Sequence, residues 1–220
     1  MSIPAISNAK ICGVMDSATA TLCADLGFGA IGFVFYAKSP RCVTPALARE
    51  IASGIPQSVA RVGVVVDMPE DEMVAAARTA GLTSVQLHGN EPPQVARRLQ
   101  EAGFKVIKAV RRIEDAHTMP EGVSILLECG TGTLPGGNGA EWDWGKAADA
   151  MSTLPIGIAG GLRADNIGLA MAVSHAEACD VSSGAEAAPR VKNHAAIAAI
   201  ARELARLPQP QRLFWRDATK

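Results

Sequence analysis

The chain has 220 residues, of which 48% are hydrophobic and 20% charged, and this balance excludes an intrinsically disordered protein. Acidic residues number 22 and basic residues 21, so the formal net charge is −1, and only 4% of residues are aromatic. A duplex nucleic-acid binder needs clustered Lys and Arg, and a single-strand binder needs aromatic stacking surfaces, so we expect no nucleic-acid partner.

Short apolar runs alternate with longer amphipathic runs along the whole chain. In chain order, the pattern predicts strand 9–14, helix 16–27, strand 30–35, helix 44–54, strand 61–67, helix 69–81, strand 84–88, helix 91–103, strand 105–110, strand 123–128, helix 144–151, strand 155–159, helix 164–174, strand 178–183 and helix 192–207. Residues 111–122 are at most weakly helical. Residues 208–220 are polar, and residues 209–220 are predicted to form a loose tail.

The eight predicted strands are apolar on both faces, which is typical of a buried parallel sheet. Eight such β/α units close most naturally into a (β/α)8 TIM barrel, an α/β fold, so we predict a single barrel domain over residues 1–220 with its core at about 9–207. An open, doubly wound sheet is the alternative. No GxGxxG motif follows the first strand, which argues against a dinucleotide-binding version of that alternative.

Neither a membrane segment nor a metal or disulfide framework is indicated. No run of about 18 apolar residues occurs, and the N-terminus lacks the pattern of a secretory signal, so we expect a cytoplasmic protein without a membrane partner. The cysteines are odd in number and show no CxxC spacing, which predicts reduced thiols and no metal site. They are Cys12, Cys23, Cys42, Cys129 and Cys179.

In a barrel of this kind the functional groups lie at the carboxyl ends of the strands. The seventh strand is followed by Gly160 and Gly161, and the eighth ends in Ser182, Ser183 and Gly184. Bare backbone N–H groups in these two loops suit a phosphate, which predicts a phosphate site there. The alternative is that the glycines only turn the chain.

Cys12 ends the first strand and is a candidate general base. An ordinary thiol has a pKa near ~8.5, so a useful thiolate needs positive charge nearby. Side chains alternate along a strand, so Lys10 faces the same way as Cys12. Asp180, on the eighth strand, would neighbour Lys10 where the barrel closes. We therefore predict an ion pair between Lys10 and Asp180.

Glu128 ends an apolar strand, ILLE, where partial desolvation favours a protonated acid that can donate a proton. Taken alone, a salt-bridged or capping carboxylate is the commoner interpretation. The fourth strand ends in Gln86 and His88, and a single His in this position is more often structural than catalytic. Arg41, in the KSPR loop, either holds a carboxylate or faces water.

Motifs in a fixed order carry a resemblance to a known family. They are KICG (10–13), GFVFYAKSPR (32–41), VGVVVD (62–67), VQLHG (85–89), GGNGAEWDW (136–144), AGGL (159–162) with Asn166, and DVSSGAE (180–186). Together they resemble phosphoribosylanthranilate isomerase from about residue 10 to residue 204. Each motif alone is modest, whereas the ordered set is highly specific.

The resemblance implies a cofactor-free Amadori rearrangement of N-(5-phosphoribosyl)anthranilate in tryptophan biosynthesis. The general base is then Cys12 and the general acid Glu128. The phosphate falls to the AGGL and SSG loops, and Arg41 lies near the anthranilate carboxylate. Gln86 and His88 are expected to contact the substrate as well. The partner is thus a small phosphosugar, and the chain is expected to be a monomer or a homodimer.

Two departures from the family pattern leave alternatives open. The family typically has Asp where this chain has Glu128, and Thr where it has Asn138. The sequence therefore also permits a relative that acts on another phosphosugar or amine, or a phosphosugar-binding protein without activity. Residues 129–139 form a Gly-rich loop that we expect to be a mobile cover over the site, although plain surface flexibility would give the same pattern.

Overall fold

Eight parallel strands pair in chain order and close into a barrel, with β8 returning to β1, so the (β/α)8 prediction is confirmed. The computed structural model describes residues 6–128, 141–148, 156–208 and 213–216. The strands are β1 (Ile6–Cys12), β2 (Phe28–Val34), β3 (Ala60–Val65), β4 (Ser84–Leu87), β5 (Lys105–Val110), β6 (Ser124–Leu127), β7 (Ile156–Ala159) and β8 (Ala178–Val181).

Helices and 3-10 turns surround the barrel. The helices are α1 (Ser17–Asp25), α2 (Pro45–Ala52), α3 (Glu70–Ala80), α4 (Pro93–Glu101), α5 (Ile167–Ser174) and α6 (His194–Leu204). The weakly helical stretch after β5 is a 3-10 helix, Ile113–Thr118. Another, Trp144–Ala147, stands where a longer helix was expected. Two short antiparallel strands, β9 (Glu186–Ala188) and β10 (Val191–Lys192), follow β8.

Side-chain caps fix where several helices begin. The Thr44 hydroxyl accepts a hydrogen bond from the Leu47 backbone N–H at 3.2 Å, and Pro45 occupies the first turn of α2. Asp16 caps α1 in the same way. At the other end of α3, Gly81 adopts a left-handed conformation with φ of 65°, which ends the helix.

The inner faces of the barrel strands carry small side chains at the amino-terminal end. Ala30, Ala60 and Ala178 are fully buried there. A Cβ at Gly157 would lie 2.9 Å from the Phe214 ring, so this glycine makes room for that aromatic side chain. Small inward residues on four different strands thus leave a space that another part of the chain must fill.

The aromatic pair Phe214 and Trp215 fills this space, so the prediction of a loose tail from residue 209 is wrong for residues 213–216. Both side chains are 1% exposed. The Ser84 hydroxyl donates to the Trp215 carbonyl at 2.6 Å, and the Ser124 hydroxyl donates to the Phe214 carbonyl at 3.2 Å. Asn8 accepts from the Phe214 backbone N–H at 3.0 Å. These bonds satisfy the backbone of a segment that lies inside the barrel.

Across the described residues, no helix combines the length and apolar character that crossing a membrane requires.

Candidate active site

A cavity opens at the carboxyl ends of the strands. It brings together every residue that the sequence predicted for the site. These are Cys12, Arg41, Gln86, His88, Glu128, Gly160, Gly161, Ser182, Ser183 and Gly184. The roles of the individual residues stay predictions.

Lys10 and Cys12 both point into the barrel, as their alternation on β1 predicts. Lys10 pairs in register with Asp180 of β8, and its Nζ lies 2.9 Å from Asp180 Oδ2, so the predicted ion pair is confirmed. The Lys10 side chain is fully buried and that of Asp180 is 7% exposed. The second carboxylate oxygen, Asp180 Oδ1, has no hydrogen-bond partner among the described residues.

The Cys12 thiol lies at the cavity wall under opposing electrostatic influences. Burial raises its pKa above the ordinary value, and the negative charge of Asp180 raises it further. The ammonium groups of Lys10 and Lys192 act in the opposite direction without cancelling the effect of burial. A thiolate with a raised pKa is a stronger base once formed, because basicity follows pKa.

The buried Lys10–Asp180 pair is itself coupled to the thiol. Burial lowers the pKa of the Lys10 ammonium, but Asp180 and Cys12 together outweigh it, so the pKa lies above the ordinary value. Burial raises the pKa of Asp180 despite the opposing charge of Lys10. The charge of Asp180 thus favours the charged form of the Lys10 ammonium beneath Cys12.

Glu128 follows β6, three strands from β1 around the barrel, and takes part in a short chain of polar contacts. His88 Nε2 lies 3.2 Å from Glu128 Oε2, and both side chains are largely buried. Gln86 Nε2 lies 2.9 Å from His88 Nδ1. When the Gln86 amide donates to Nδ1, the imidazole proton sits on Nε2 and points at the carboxyl group. Gln86 and His88 can thus orient Glu128 as well as line the cavity.

Arg41 is buried and paired, rather than facing water. Its Nε and Nη2 donate to the two oxygens of Glu186, each at 2.7 Å, and Nη1 makes no hydrogen bond to the described residues. Lys192 Nζ lies 3.1 Å from Glu186 Oε1 and donates to the Ser182 carbonyl at 2.9 Å. The hydrogen bonds and charges of Arg41 and Lys192 outweigh the effect of burial on Glu186, so the pKa of this carboxyl is lowered.

Sequence reasoning gave no role to Glu186 or Lys192. Glu186 belongs to the DVSSGAE motif, but nothing in that motif indicates a partner for Arg41. The β9–β10 pair places Lys192 opposite Glu186. The motif therefore pointed to the right segment without showing the contact.

The loops after β7 and β8 approach each other at the cavity rim. Gly160 and Gly161 have φ of 87° and 69°, a region that favours glycine. A Cβ at Gly184 would overlap the carbonyl oxygen of Leu162, so only glycine permits this approach. The Trp142 indole donates to the Ala159 carbonyl at 2.8 Å and fixes the end of β7.

Two further sequence predictions concern a metal site and a cover over the cavity. No group of three or more His, Cys, Asp or Glu side chains in the described parts of the chain could hold a metal ion. The predicted cover at residues 129–139, with Asn138, lies outside the described residues.

Comparison with known proteins points to one family. The family model described as N-(5′-phosphoribosyl)anthranilate isomerase matches residues 9–203. A relative from Desulfatibacillum aliphaticivorans, named N-(5′-phosphoribosyl)anthranilate isomerase, is 42% identical over 188 residues, which cover 84% of this chain and 86% of that protein.

Solved structures give the same result at the level of the fold. One is a phosphoribosylanthranilate isomerase in complex with reduced 1-(o-carboxyphenylamino)-1-deoxyribulose 5-phosphate. It has a TM-score of 0.81 at 34% identity and covers 91% of this chain and 99% of the other. Another shows monomers generated from the dimeric Thermotoga maritima isomerase. It has a TM-score of 0.77 at 30% identity, over 91% and 99% of the two chains.

Proposed function

Since the chain belongs to the N-(5′-phosphoribosyl)anthranilate isomerase family, we propose that Cys12 and Glu128 are the general base and general acid of the isomerase reaction. The activity is the isomerisation of N-(5′-phosphoribosyl)anthranilate in tryptophan biosynthesis. The observation that carries the assignment of roles is that the two side chains line one cavity from β1 and β6.

The barrel order supports the placement of the substrate. Because β7 and β8 lie between β6 and β1, the Gly160–Gly161 and Ser182–Gly184 loops separate the proposed acid from the proposed base. A phosphate held by these loops leaves the sugar between the two side chains. Arg41 Nη1 remains available for the anthranilate carboxylate, because Glu186 occupies the edge of the guanidinium group formed by Nε and Nη2.

Ring opening is the first step. The protonated Glu128 carboxyl donates its proton to the furanose ring oxygen. The bond between that oxygen and C1 breaks, and its electron pair stays on the oxygen, which becomes a hydroxyl group. The anthranilate nitrogen supplies its lone pair to C1, and a protonated Schiff base forms. His88, held by Gln86, orients the carboxyl group for this transfer.

Proton removal from the sugar completes the rearrangement. The Cys12 thiolate takes the proton from C2, and the C–H electron pair forms a C1–C2 double bond while the nitrogen regains its lone pair. The enolamine then gains a proton at C1 and loses one from the C2 hydroxyl, which yields the ketone. Protons and electrons balance within the substrate and the two side chains.

Steady-state assay of the purified protein tests these roles. We expect Cys12→Ser to lose most turnover while still binding the reduced product analogue that occupies the related structure, because that analogue needs no base. Full turnover by Cys12→Ser would reject Cys12 as the base. Turnover of a different phosphosugar in preference to phosphoribosylanthranilate would favour the diverged-enzyme alternative.

We further propose a monomer or homodimer acting in the cytoplasm. The Thermotoga maritima relative is described as dimeric, which makes a homodimer the state to test first. Sedimentation equilibrium of the purified chain distinguishes the two states, and any larger assembly would contradict the proposal.

A further inference from the structure

The Trp215 ring faces the Lys10 ammonium, which belongs to the charged pair beneath the proposed base. Its ring centre is 5.3 Å from Lys10 Nζ, and the indole Nε1 donates to the Asn8 carbonyl at 2.9 Å. The side chain is 1% exposed, and Phe214 packs against it edge-on at 4.8 Å between ring centres. The indole is therefore fixed in one orientation, with Lys10 near its ring.

The Lys10 ammonium is enclosed from several directions. Asp180 Oδ2 lies 2.9 Å from Nζ, and the Trp215 ring lies on the side of the barrel base. A Cβ at Gly32 would lie 3.0 Å from Lys10 Nζ and 2.9 Å from Cys12 Sγ, so both groups converge on one point of β2. The Lys10 ammonium is thus close to both the Trp215 ring and the Cys12 thiol.

We propose that Trp215 is a positioning residue for the isomerase reaction, because its ring holds the Lys10 ammonium against Cys12 and Asp180. This inference rests on the proposed role of Cys12 as the base. Residues 213–216 lie beyond the segment 9–203 that the family model matches, so family membership does not imply the contact.

Two physical effects support a positioning role. A buried ammonium group is costly, and the face of an aromatic ring attracts a cation more strongly when water is excluded. The ring also fills the base of the barrel, where small inward residues would otherwise leave a void into which the lysine side chain could retract. Without the ring, Lys10 would stabilise the Cys12 thiolate less well.

Among the described residues, Trp215 makes no hydrogen bond or ion pair to the other charged groups around Cys12. Asp180 faces the thiol from β8, Lys192 from β10, and Arg41 from the loop after β2. Glu186 holds the last two cations in place. Since none of these contacts involves residues 213–216, a change at Trp215 should reach Cys12 through Lys10.

The test follows the pH dependence of Cys12 alkylation by iodoacetamide, resolved by peptide mass spectrometry and without substrate. We expect Trp215→Leu to move the alkylation profile to higher pH and to lower the rate at pH 7.5 about tenfold, equivalent to one pH unit. The turnover number should fall several-fold with KM within twofold. Trp215→Phe, which retains a ring, should stay close to the parent chain.

Phe214→Leu is the matched control, because it removes one ring from the same buried segment while the Asn8 carbonyl still accepts the Trp215 indole N–H and keeps that ring beside Lys10. It should lower thermal stability but leave the alkylation profile unchanged. If Trp215→Leu does not fold, site-specific tetrafluorotryptophan at position 215 keeps the shape of the ring and weakens its negative face. It should shift the profile in the same direction.

The outcomes separate this inference from the proposed function. An unchanged or acid-shifted profile in folded Trp215→Leu, or an unchanged profile with the fluorinated ring, would overturn the positioning role. Full turnover by Cys12→Ser would instead reject the proposed base. Only the combination of an essential Cys12 and an alkaline shift in the Trp215 variants supports both.

Discussion

At the scale of single residues, the Cys12 thiol combines burial with charge. Burial alone would make the thiol inert, and positive charge alone would make it a weak base. Here burial raises the pKa while Lys10 and Lys192 limit the rise. The thiol therefore suits abstraction of a weakly acidic sugar proton, which needs a strong base that still ionises.

This balance predicts how Cys12 titrates. Only the thiolate reacts with iodoacetamide, so a raised pKa moves the midpoint of alkylation to higher pH and slows the reaction as pH falls. We expect a midpoint above ~8.5, the ordinary thiol value, in the folded chain. The same cysteine in the urea-unfolded chain should titrate near that ordinary value and serves as the control. A folded-state midpoint below the unfolded one would contradict the assignment.

The acid on the other wall gives a second prediction. Glu128→Gln keeps the shape of the side chain but cannot donate the proton, so kcat should fall about 10²–10⁴-fold. Glu128→Asp restores a carboxyl group, one methylene shorter, and should retain at least about tenfold more activity than the Gln variant. Steady-state kinetics with phosphoribosylanthranilate measure both. Equal activity of Glu128→Gln and the parent chain would remove Glu128 from the mechanism.

At the scale of the elements, the segments after β7 and β8 form the cavity rim. The close approach of Gly184 to Leu162 joins the two loops. The β9–β10 hairpin then returns Glu186 and Lys192 to the cavity beside Arg41. A hairpin of few residues thus supplies the groups that orient the guanidinium and add positive charge near the thiol.

Gly184→Ala tests the junction between the loops. The added methyl group overlaps backbone at Leu162, so the loops must separate and KM should rise about tenfold or more. Gly168→Ala is the control, because a Cβ there meets nothing within 4 Å and lies in α5. It should leave KM unchanged and stabilise the chain by about 0.5–1 kcal/mol. Unchanged KM in Gly184→Ala would argue against a phosphate at these loops.

Glu186→Gln tests the buried ion network. The change leaves Arg41 and Lys192 without their shared anion in a buried site, so the free energy of unfolding should fall by about 3 kcal/mol. Glu203→Gln, which breaks a surface pair with Arg206, should cost about 0.5 kcal/mol or less. Urea denaturation measures both values. Similar small losses in the two variants would show that the buried network contributes little.

At the scale of the whole molecule, the barrel is filled from below by the chain's own carboxyl-terminal segment. Alanine and glycine on the inner faces leave the space, and Phe214 and Trp215 occupy it. The same segment contacts Lys10, so the packing at the base of the barrel and the chemistry at its top meet in the barrel interior.

Removal of the Phe214 ring should lower the free energy of unfolding. Phe214→Ala leaves a cavity among buried residues and should lower the free energy of unfolding by about 3–5 kcal/mol. Leu213→Ala, in the same segment but only half-buried, should cost about 1 kcal/mol or less. Urea denaturation compares the two. Equal losses would mean that Phe214 does not support the barrel.

The local sequence pattern was sufficient to predict much of the fold and of the candidate site. Alternation of apolar and amphipathic runs predicted eight strands, and strand periodicity placed Lys10 beside Asp180 across the barrel closure. The role of Phe214 and Trp215 was missed, because a short aromatic pair in a polar segment has no periodicity. The space that it fills is created by residues on distant strands. The Glu186–Lys192 contact was missed for a similar reason, since it depends on how a small hairpin folds back.

A crystal structure of this chain with reduced 1-(o-carboxyphenylamino)-1-deoxyribulose 5-phosphate would test most directly whether Cys12 and Glu128 face one sugar. We predict Cys12 Sγ within about 3.5 Å of C2 and a Glu128 oxygen within about 3.2 Å of the former ring oxygen, with the phosphate at the β7 and β8 loops. A ligand whose C2 points away from Cys12, or whose phosphate lies elsewhere, would contradict the proposed acid–base pair.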